Sequence, residues 1–398
     1  MYTSHRGDLL WLPKACAIGL EGYAKLFVKT GASLYSMPIK RKEEASYIVK
    51  KILVALLCAI AVFLCACQKK AELTGISVNA DDAKYWYLSG QEIDPTGLHI
   101  TASYSDGTEK LLSPDDCSFQ KPPFAPFGEK QVTVSYQEQT ATYPIYTCPS
   151  VVETDEYTTY HIRTNENGSR VSLTPVLVGE EKPFVLVMPG GAYAACSPYG
   201  NEGYAYAARI RELGYNAIVL EYSINMLHPA PLDDVNTALD IIAQNASAWG
   251  VSMEGYAVCG SSAGGHLAAT WATKDLGYAH YGKAKPETVI LAYAATHIFD
   301  DSCLKVVDGI MDEATRRSLS VDENLDEDYP AVYEWTFEND AYDIPTHIAL
   351  MDAALEKASV PHVTRIFPEG AHGLGLAAGT AAEGWMDEAI SFWQNHNN

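Results

Sequence analysis

At 398 residues the chain has room for two domains and a sizeable core, and it carries 50 Asp and Glu against 28 Lys and Arg. Residues 1–66 hold nine of the basic and four of the acidic residues, so the remainder is more lopsided still, with 19 basic against 46 acidic. A surface of that sign repels nucleic acid and anionic lipid headgroups, which argues against both as partners and suits a neutral or cationic substrate.

In chain order, the first feature is an address. Lys40-Arg-Lys42 and Lys50-Lys51 precede the apolar run Ile52–Leu64, a basic stretch and a short hydrophobic stretch of signal-peptide length, too short to span a bilayer comfortably. The run ends in Leu64-Cys65-Ala66-Cys67, which resembles the lipobox of a bacterial lipoprotein signal peptide. That resemblance implies that Cys67 is lipidated and becomes the mature N-terminus. The protein would then be an extracytoplasmic lipoprotein of a bacterial cell membrane, held by more than one acyl chain where a single chain binds marginally. An ordinary cleaved signal or an uncleaved anchor is the alternative. Residues 1–66 therefore read as leader and signal peptide. Met37 stands where such a peptide begins, so residues 1–36 read as an upstream extension, and their apolar patch Leu9–Leu12 is broken by Pro13, Lys14 and Glu21.

Five cysteines remain besides Cys67, namely Cys117, Cys148, Cys196, Cys259 and Cys303, without metal-type or CxxC spacing. An odd, scattered set points to free thiols or one pair at most.

From Leu73 to about Thr147 the pattern is that of strands. Leu98–Tyr104 alternates with period two, Ser105-Asp-Gly-Thr108 supplies a turn, and Gln131–Tyr136 and Ala141–Ile145 repeat the alternation. Residues 73–147 have the size of a small all-β sandwich. In Tyr87-Leu-Ser-Gly90-Gln, Asp94-Pro-Thr-Gly97-Leu and Tyr104-Ser-Asp-Gly107 they resemble the bacterial immunoglobulin-like modules of surface proteins. A spacer role is favoured over glycan binding, since function cannot be read from a sandwich fold.

Residues 151–398 change to alternating strands and helices, the signature of an α/β domain with a doubly wound, mostly parallel sheet. Strands are expected at Phe184–Met188, Asn216–Leu220, Thr288–Tyr293, Ala331–Phe337 and His362–Phe367, and helices at Tyr204–Leu213, Leu232–Gln244, Ile348–Lys357 and Ala381–Trp393. Residues 298–330 are acidic and irregular, and are expected as a small cap over the site. Between the second and third of these helices lies Tyr256-Ala-Val-Cys-Gly260-Ser-Ser262-Ala-Gly264-Gly-His266, an apolar strand, a sharp turn and an Ala-rich helix. Gly260-x-Ser262-x-Gly264 fits the nucleophile elbow, where the serine sits on a strained turn and flanking glycines allow strand and helix to approach closely. The helix start places backbone N–H groups, such as that of Ala263, where a negative oxygen could be stabilised. Cys259 reads as packing and His266 as a helix-packing or supporting residue.

An activated serine needs a base, and the base an orienting carboxylate, in the chain order Ser, Asp or Glu, His. Among 11 histidines, His372 follows the last expected strand, in a loop that can reach the serine edge. Glu338, Asp340 and Asp343 each follow strand Ala331–Phe337 and are candidates for the acid. A second oxyanion donor is expected from Pro189-Gly190-Gly191-Ala192-Tyr193, with Gly190 and Gly191 the candidates.

With these elements in order, residues 151–398 resemble the α/β-hydrolase family of acetylxylan and feruloyl esterase-like enzymes. The carrying pieces are Pro189–Tyr193, Tyr222, Pro229-Ala-Pro-Leu-Asp233-Asp, Gly260–His266, Trp335 with Asp340, and Gly370–Gly375. The resemblance selects Asp340, five residues after Trp335, as the acid. The run from Asp340 to Pro345 is one residue longer than family members usually show, which keeps Asp343 open. It implies a serine carboxylesterase acting on acyl groups of carbohydrate, with Ser262, Asp340 and His372 as triad and Gly191, Ala263 and Gly190 around the oxyanion. No cofactor or metal is implied. The rivals are a serine peptidase of the prolyl-oligopeptidase type, and a glycan-binding surface protein with a dead hydrolase fold.

Overall fold

The computed structural model describes residues 46–47, 49–57, 71–88, 90–124, 128–148, 150–153, 157–299 and 312–396. The chain divides into two compact units, residues 1–72 and 73–398. In the first, residues 46–47 and 49–57 are helical, and no helix among the described residues is long and apolar enough to cross a membrane. Cys67, residues 1–36 and Cys303 lie outside the described residues. Cys117, Cys148, Cys196 and Cys259 are free thiols.

The second unit opens with β1 (Leu73–Asn79), β2 (Trp86–Tyr87), β3 (His99–Tyr104), β4 (Glu109–Leu112), β5 (Ser118–Gln120), β6 (Gly128–Tyr136) and β7 (Gln139–Thr147). They form two small sheets, ordered β1-β3-β4 and β2-β7-β6-β5. The alternation seen in the sequence buries Ile100, Ala102, Val132, Val134, Tyr143 and Ile145 between them. Pro144 is tolerated inside β7 for a geometric reason. The N–H groups of Tyr146 and Cys148 reach Tyr85 and Tyr87 on the β2 side, and at Pro144 that side has no paired strand.

The small sheets are tied to helix Ala230–Trp249 of the larger domain by more than a covalent link. The side-chain carbonyl of Gln244 accepts the backbone N–H groups of Tyr85 (2.9 Å) and Trp86 (2.6 Å), and Asn245 Oδ1 accepts from Lys84 Nζ and Gln91 Nε2. Trp86, Leu88 and Cys148 belong to the same buried cluster as the helices of the larger sheet. A loose spacer would leave these groups in water.

The larger sheet comprises β8 (Ser150–Glu153), β9 (Thr158–Thr164), β10 (Arg170–Val176), β11 (Lys182–Met188), β12 (Asn216–Glu221), β13 (Val251–Ser261), β14 (Thr288–Ala292), β15 (Ala331–Phe337) and β16 (His362–Phe367). Its order is β16-β15-β14-β13-β11-β12-β10-β9-β8, parallel from β16 to β12 and antiparallel beyond. The helices are α1 (Tyr204–Glu212), α2 (Ala230–Trp249), α3 (Ser262–Trp271), α4 (Glu313–Leu319), α5 (Val321–Asn324), α6 (Ile344–Ala358) and α7 (Trp385–His396). The period-two side-chain rule splits the core in two: Phe184, Leu186 and Met188 face one cluster with α2 and α3, while Val185 and Val187 face the other with α1 and α7. This is the α/β-hydrolase sheet expected from the sequence.

The departures have local causes. Helix α6 begins four residues earlier than the apolar period suggests, because Pro345 suits the first helical turn. Helix α7 begins four residues later, after Gly384 at φ 90°. Strands β8, β9 and β10 carry no buried apolar run of the parallel type and escape the sequence pattern. The described part of segment 298–330 is no cap: Leu319, Val321 and Tyr329 bury against the serine helix α3, Tyr329 donating to the carbonyl of Ala269 at 2.8 Å. None of residues 312–330 lines the cavity over Ser262.

Candidate active site

Strand β13 runs straight into α3 at Ser262, whose φ of 51° lies in the left-handed region that a serine adopts only under constraint. The constraint is visible at the neighbouring glycines. A Cβ on Gly260 would lie 2.2 Å from the carbonyl oxygen of Gly264, and one on Gly264 would lie 2.2 Å from that of Met188. Strand and helix therefore touch backbone to backbone, and the serine hydroxyl is thrown out at the carboxyl end of the sheet.

There it meets the residues that the sequence singles out. Ser262 Oγ lies 3.0 Å from His372 Nε2, and His372 Nδ1 lies 2.9 and 3.1 Å from the two carboxylate oxygens of Asp340. With Nδ1–H donated to Asp340, Nε2 carries the lone pair that accepts the serine proton. Asp340 is fully buried at its side chain, and its Oδ1 also accepts the N–H of Tyr342 at 2.9 Å. The imidazole is clamped between the rings of Tyr293 (4.9 Å) and Tyr342 (4.6 Å). Asp343 is elsewhere, exposed at φ 55° ahead of α6, and Glu338 is exposed as well.

At the oxyanion loop one expectation is corrected. The N–H of Gly190 donates to Glu202 Oε2 at 2.9 Å, so Gly190 cannot serve an oxyanion. The N–H groups of Gly191 and Ala263 have no hydrogen-bond partner among the described residues, and both residues line the cavity with Ser262 and His372. Gly191 is irreplaceable on steric grounds: at φ 136° a Cβ would lie 2.1 Å from the carbonyl oxygen of Ala195. The loop is pinned along its length. Tyr222 donates to the carbonyl of Pro189 (2.7 Å), and the Tyr193 hydroxyl bonds His266 Nδ1 (2.9 Å).

His266 is thus a brace, in keeping with its position one turn along α3. Its Nε2–H donates to the carbonyl of Leu319 (2.8 Å), so Nδ1 accepts from Tyr193 and one ring ties the oxyanion loop, α3 and α4 together. Burial pushes this imidazole down to about 4, against the smaller opposing pull of the Leu319 carbonyl. Cys259 is buried in packing, and burial raises its thiol well above the ordinary range, which leaves it no nucleophilic role.

The cavity over Ser262 has a volume of about 540 Å³ and is lined by Gly191, Ala192, Ala263, Ala295 and Ile344 beside Glu202, Tyr342 and His347. His347 accepts the backbone N–H of His297 on Nδ1 (3.1 Å), and burial pushes it, too, down to about 4. Sequence reasoning misses Glu202, Tyr293, Tyr342 and His347. Each comes from a different segment and carries no spacing signature, so only the fold gathers them. Among the described residues no cluster could hold a metal ion.

Residues 173–300 match the BD-FAE family, and residues 80–146 match the bacterial Ig-like domain (group 3). The chain is 28% identical over 226 residues to endo-1,4-beta-xylanase B of Butyrivibrio fibrisolvens, covering 53% of this chain and 35% of that protein. It therefore spans about a third of the length of this curated relative. Similar folds include an acetyl ester-xyloside bifunctional hydrolase from Caldicellulosiruptor lactoaceticus (24% identity, TM-score 0.51, 57% of this chain and 88% of that one). A carboxylesterase from Lactobacillus plantarum has a TM-score of 0.52 at 20% identity over 60% of this chain and 97% of its own. Carboxyl esterase 2 of Tuber melanosporum has a TM-score of 0.52 at 17% identity, over 62% and 89%. The matches thus place a segment similar to a bacterial Ig-like domain ahead of an α/β-hydrolase domain similar to the BD-FAE family.

Proposed function

We propose that this protein is a serine carboxylesterase that removes short acyl groups, acetyl first among them, from carbohydrate. The observation that carries the proposal is the continuous chain of contacts from Ser262 Oγ through His372 to Asp340. Ser262 attacks the ester carbonyl while His372 Nε2 takes its proton. The N–H groups of Gly191 and Ala263 hold the oxyanion, helped by the positive end of α3. As the tetrahedral adduct collapses, the proton on His372 passes to the leaving sugar oxygen and the acyl group stays on Ser262. Water, deprotonated by the same imidazole, then releases the acid. Asp340 keeps the ring in the tautomer both steps need.

The carbohydrate side of the proposal rests on the relatives, one named as a xylanase and another described as an acetyl ester-xyloside hydrolase. A net charge of −22 suits a neutral polysaccharide better than an anionic one. Location is part of the same proposal: the Leu64–Cys67 lipobox supports a lipid anchor on Cys67 that holds the enzyme outside the cytoplasm. Mass spectrometry of the membrane fraction tests it, since soluble secretion unaffected by Cys67→Ser would refute the anchor. A parallel screen of acetylated xylan, feruloylated oligosaccharide and peptide substrates tests the chemistry. Release of acetate is expected, and cleavage of peptide alone would move the protein to the peptidases.

A further inference from the structure

Glu202 lies beside the catalytic serine without taking part in the contacts between Ser262, His372 and Asp340. A Cβ on Gly190 would sit 2.7 Å from its Oε2 and 3.0 Å from Ser262 Cβ, which fixes how close carboxylate and nucleophile are. Both of its oxygens accept. Oε2 takes the Gly190 N–H at 2.9 Å, and Oε1 takes the Tyr293 hydroxyl proton at 2.7 Å.

Tyr293 carries the connection onward. Its oxygen accepts the N–H of Gly375 (2.9 Å), three residues after His372, and its ring packs edge-on against that imidazole. The Tyr206 hydroxyl lies 3.3 Å from it, and accepts from Ser261 Oγ, the residue before the nucleophile, at 2.9 Å. Tyr206 and Ser261 are wholly buried. From one carboxylate the bonds thus reach the oxyanion loop, the histidine loop and the elbow. Asn201, the preceding residue, adds a second tie by donating to the carbonyl of Gly373 at 2.7 Å.

Resting on the proposed esterase activity, we infer that Glu202 is a positioning residue that sets the oxyanion hole against the histidine. The physical reason lies in the peptide groups. Engaging the Gly190 N–H fixes the orientation of the Gly190–Gly191 stretch, and with it the direction in which the Gly191 N–H points. Glycine pairs left unanchored explore many backbone conformations, and a donor that must be reoriented at each turnover contributes little to transition-state binding. The same carboxylate, through Tyr293 and Gly375, holds the loop that delivers His372. Substrate binding needs neither alignment, whereas the transition state needs both.

The test uses the full chain with p-nitrophenyl acetate and phenylboronic acid, which forms a tetrahedral adduct on an active serine. Wild type and Ser262→Ala come first: turnover that does not depend on Ser262 would overturn the esterase reading and this inference with it. Given Ser262-dependent turnover, Glu202→Ala is expected to lose on the order of 10²-fold in kcat, with KM changed less than about threefold. Boronate affinity should weaken about tenfold or more in the same variant. Glu202→Gln, which keeps a carbonyl oxygen for the Gly190 N–H, should recover most of both. If Glu202→Ala yields no folded protein, Tyr293→Phe replaces it, with the same signature expected at smaller amplitude. A kcat and boronate affinity within about twofold of wild type would overturn the inference alone. So would a lower melting temperature with unchanged boronate affinity, the mark of a merely structural group.

Discussion

Asp340 holds the Nδ1–H of His372 between its two carboxylate oxygens, at 2.9 and 3.1 Å, while Asp343, three residues on, is exposed in a left-handed turn and has no hydrogen bond to that imidazole. The pairing has a direct consequence. An amide at position 340 would stabilise the wrong imidazole tautomer, so Asp340→Asn should lower kcat on the order of 10⁴-fold. Asparagine accepts left-handed backbone readily, so Asp343→Asn should stay within about twofold of wild type. Steady-state kinetics on p-nitrophenyl acetate compare the two, and the reverse ranking would show that the acid had been misassigned.

The elbow makes a prediction about stability. Gly264→Ala puts a Cβ about where the carbonyl oxygens of Met188 and Pro189 already stand, 2.2 and 2.3 Å away. Neither is the end of a flexible side chain, so the strand–helix contact itself must open. Thermal unfolding should show a loss of several kcal/mol or no folded protein, of the size seen for severe core overpacking. A melting temperature unchanged by the substitution would mean that the backbone approach is looser than the structure has it.

Much of this site is legible in the sequence, and the reason is physical. Gly260, Ser262, Gly264 and His372 are read from local rules, a turn that tolerates no Cβ and a loop after the last strand. Strand Ala331–Phe337 is read to the residue because a parallel strand buried on both faces is a nearly continuous apolar run, and the edge strand His362–Phe367, which has no buried face, is read to the residue as well. Gly190 is misread from the sequence since its role depends on Glu202, twelve residues away, whose carboxylate only the folded chain brings back to the loop. The docking of the β-sandwich through Gln244 and Asn245 is equally invisible there, since two amides on a helix surface carry no sequence signal.

His266 gives the fold a dependence on pH. In the unfolded chain it binds a proton near 6.5, whereas the folded chain leaves it neutral down to about 4. The unfolded state therefore holds more protons between those values, and stability falls as pH drops through that window. By about pH 5 the loss amounts to about 2 kcal/mol. The melting temperature of wild type minus that of His266→Leu should shrink between about pH 7.5 and pH 5. The subtraction cancels opposing groups such as Glu334, whose buried carboxyl is pushed up to about 8. A difference that stays constant would show that His266 is not held neutral by burial.

The cavity predicts an acyl preference. A volume of about 540 Å³ must take both the acyl group and part of a sugar, and its apolar wall near Ser262 is made of Ala192, Ala263, Ala295 and Ile344. Methylenes that extend past this wall gain none of the ~0.8 kcal/mol each contributes on burial. Across p-nitrophenyl acetate, butyrate and octanoate at matched pH, kcat/KM should therefore fall. A rise toward octanoate would move the protein towards the lipases.

The role of Ser262 as the nucleophile of an ester hydrolase is tested by kcat/KM for p-nitrophenyl acetate in wild type and Ser262→Ala. Removing the serine of a triad removes essentially all covalent catalysis, a loss on the order of 10⁶ in the best-studied case, and what remains comes from the oxyanion hole and binding. Turnover is expected in wild type and a fall of at least about 10³-fold in the variant, with an unchanged melting temperature showing that the fold survives. Equal turnover in the two proteins would contradict that role.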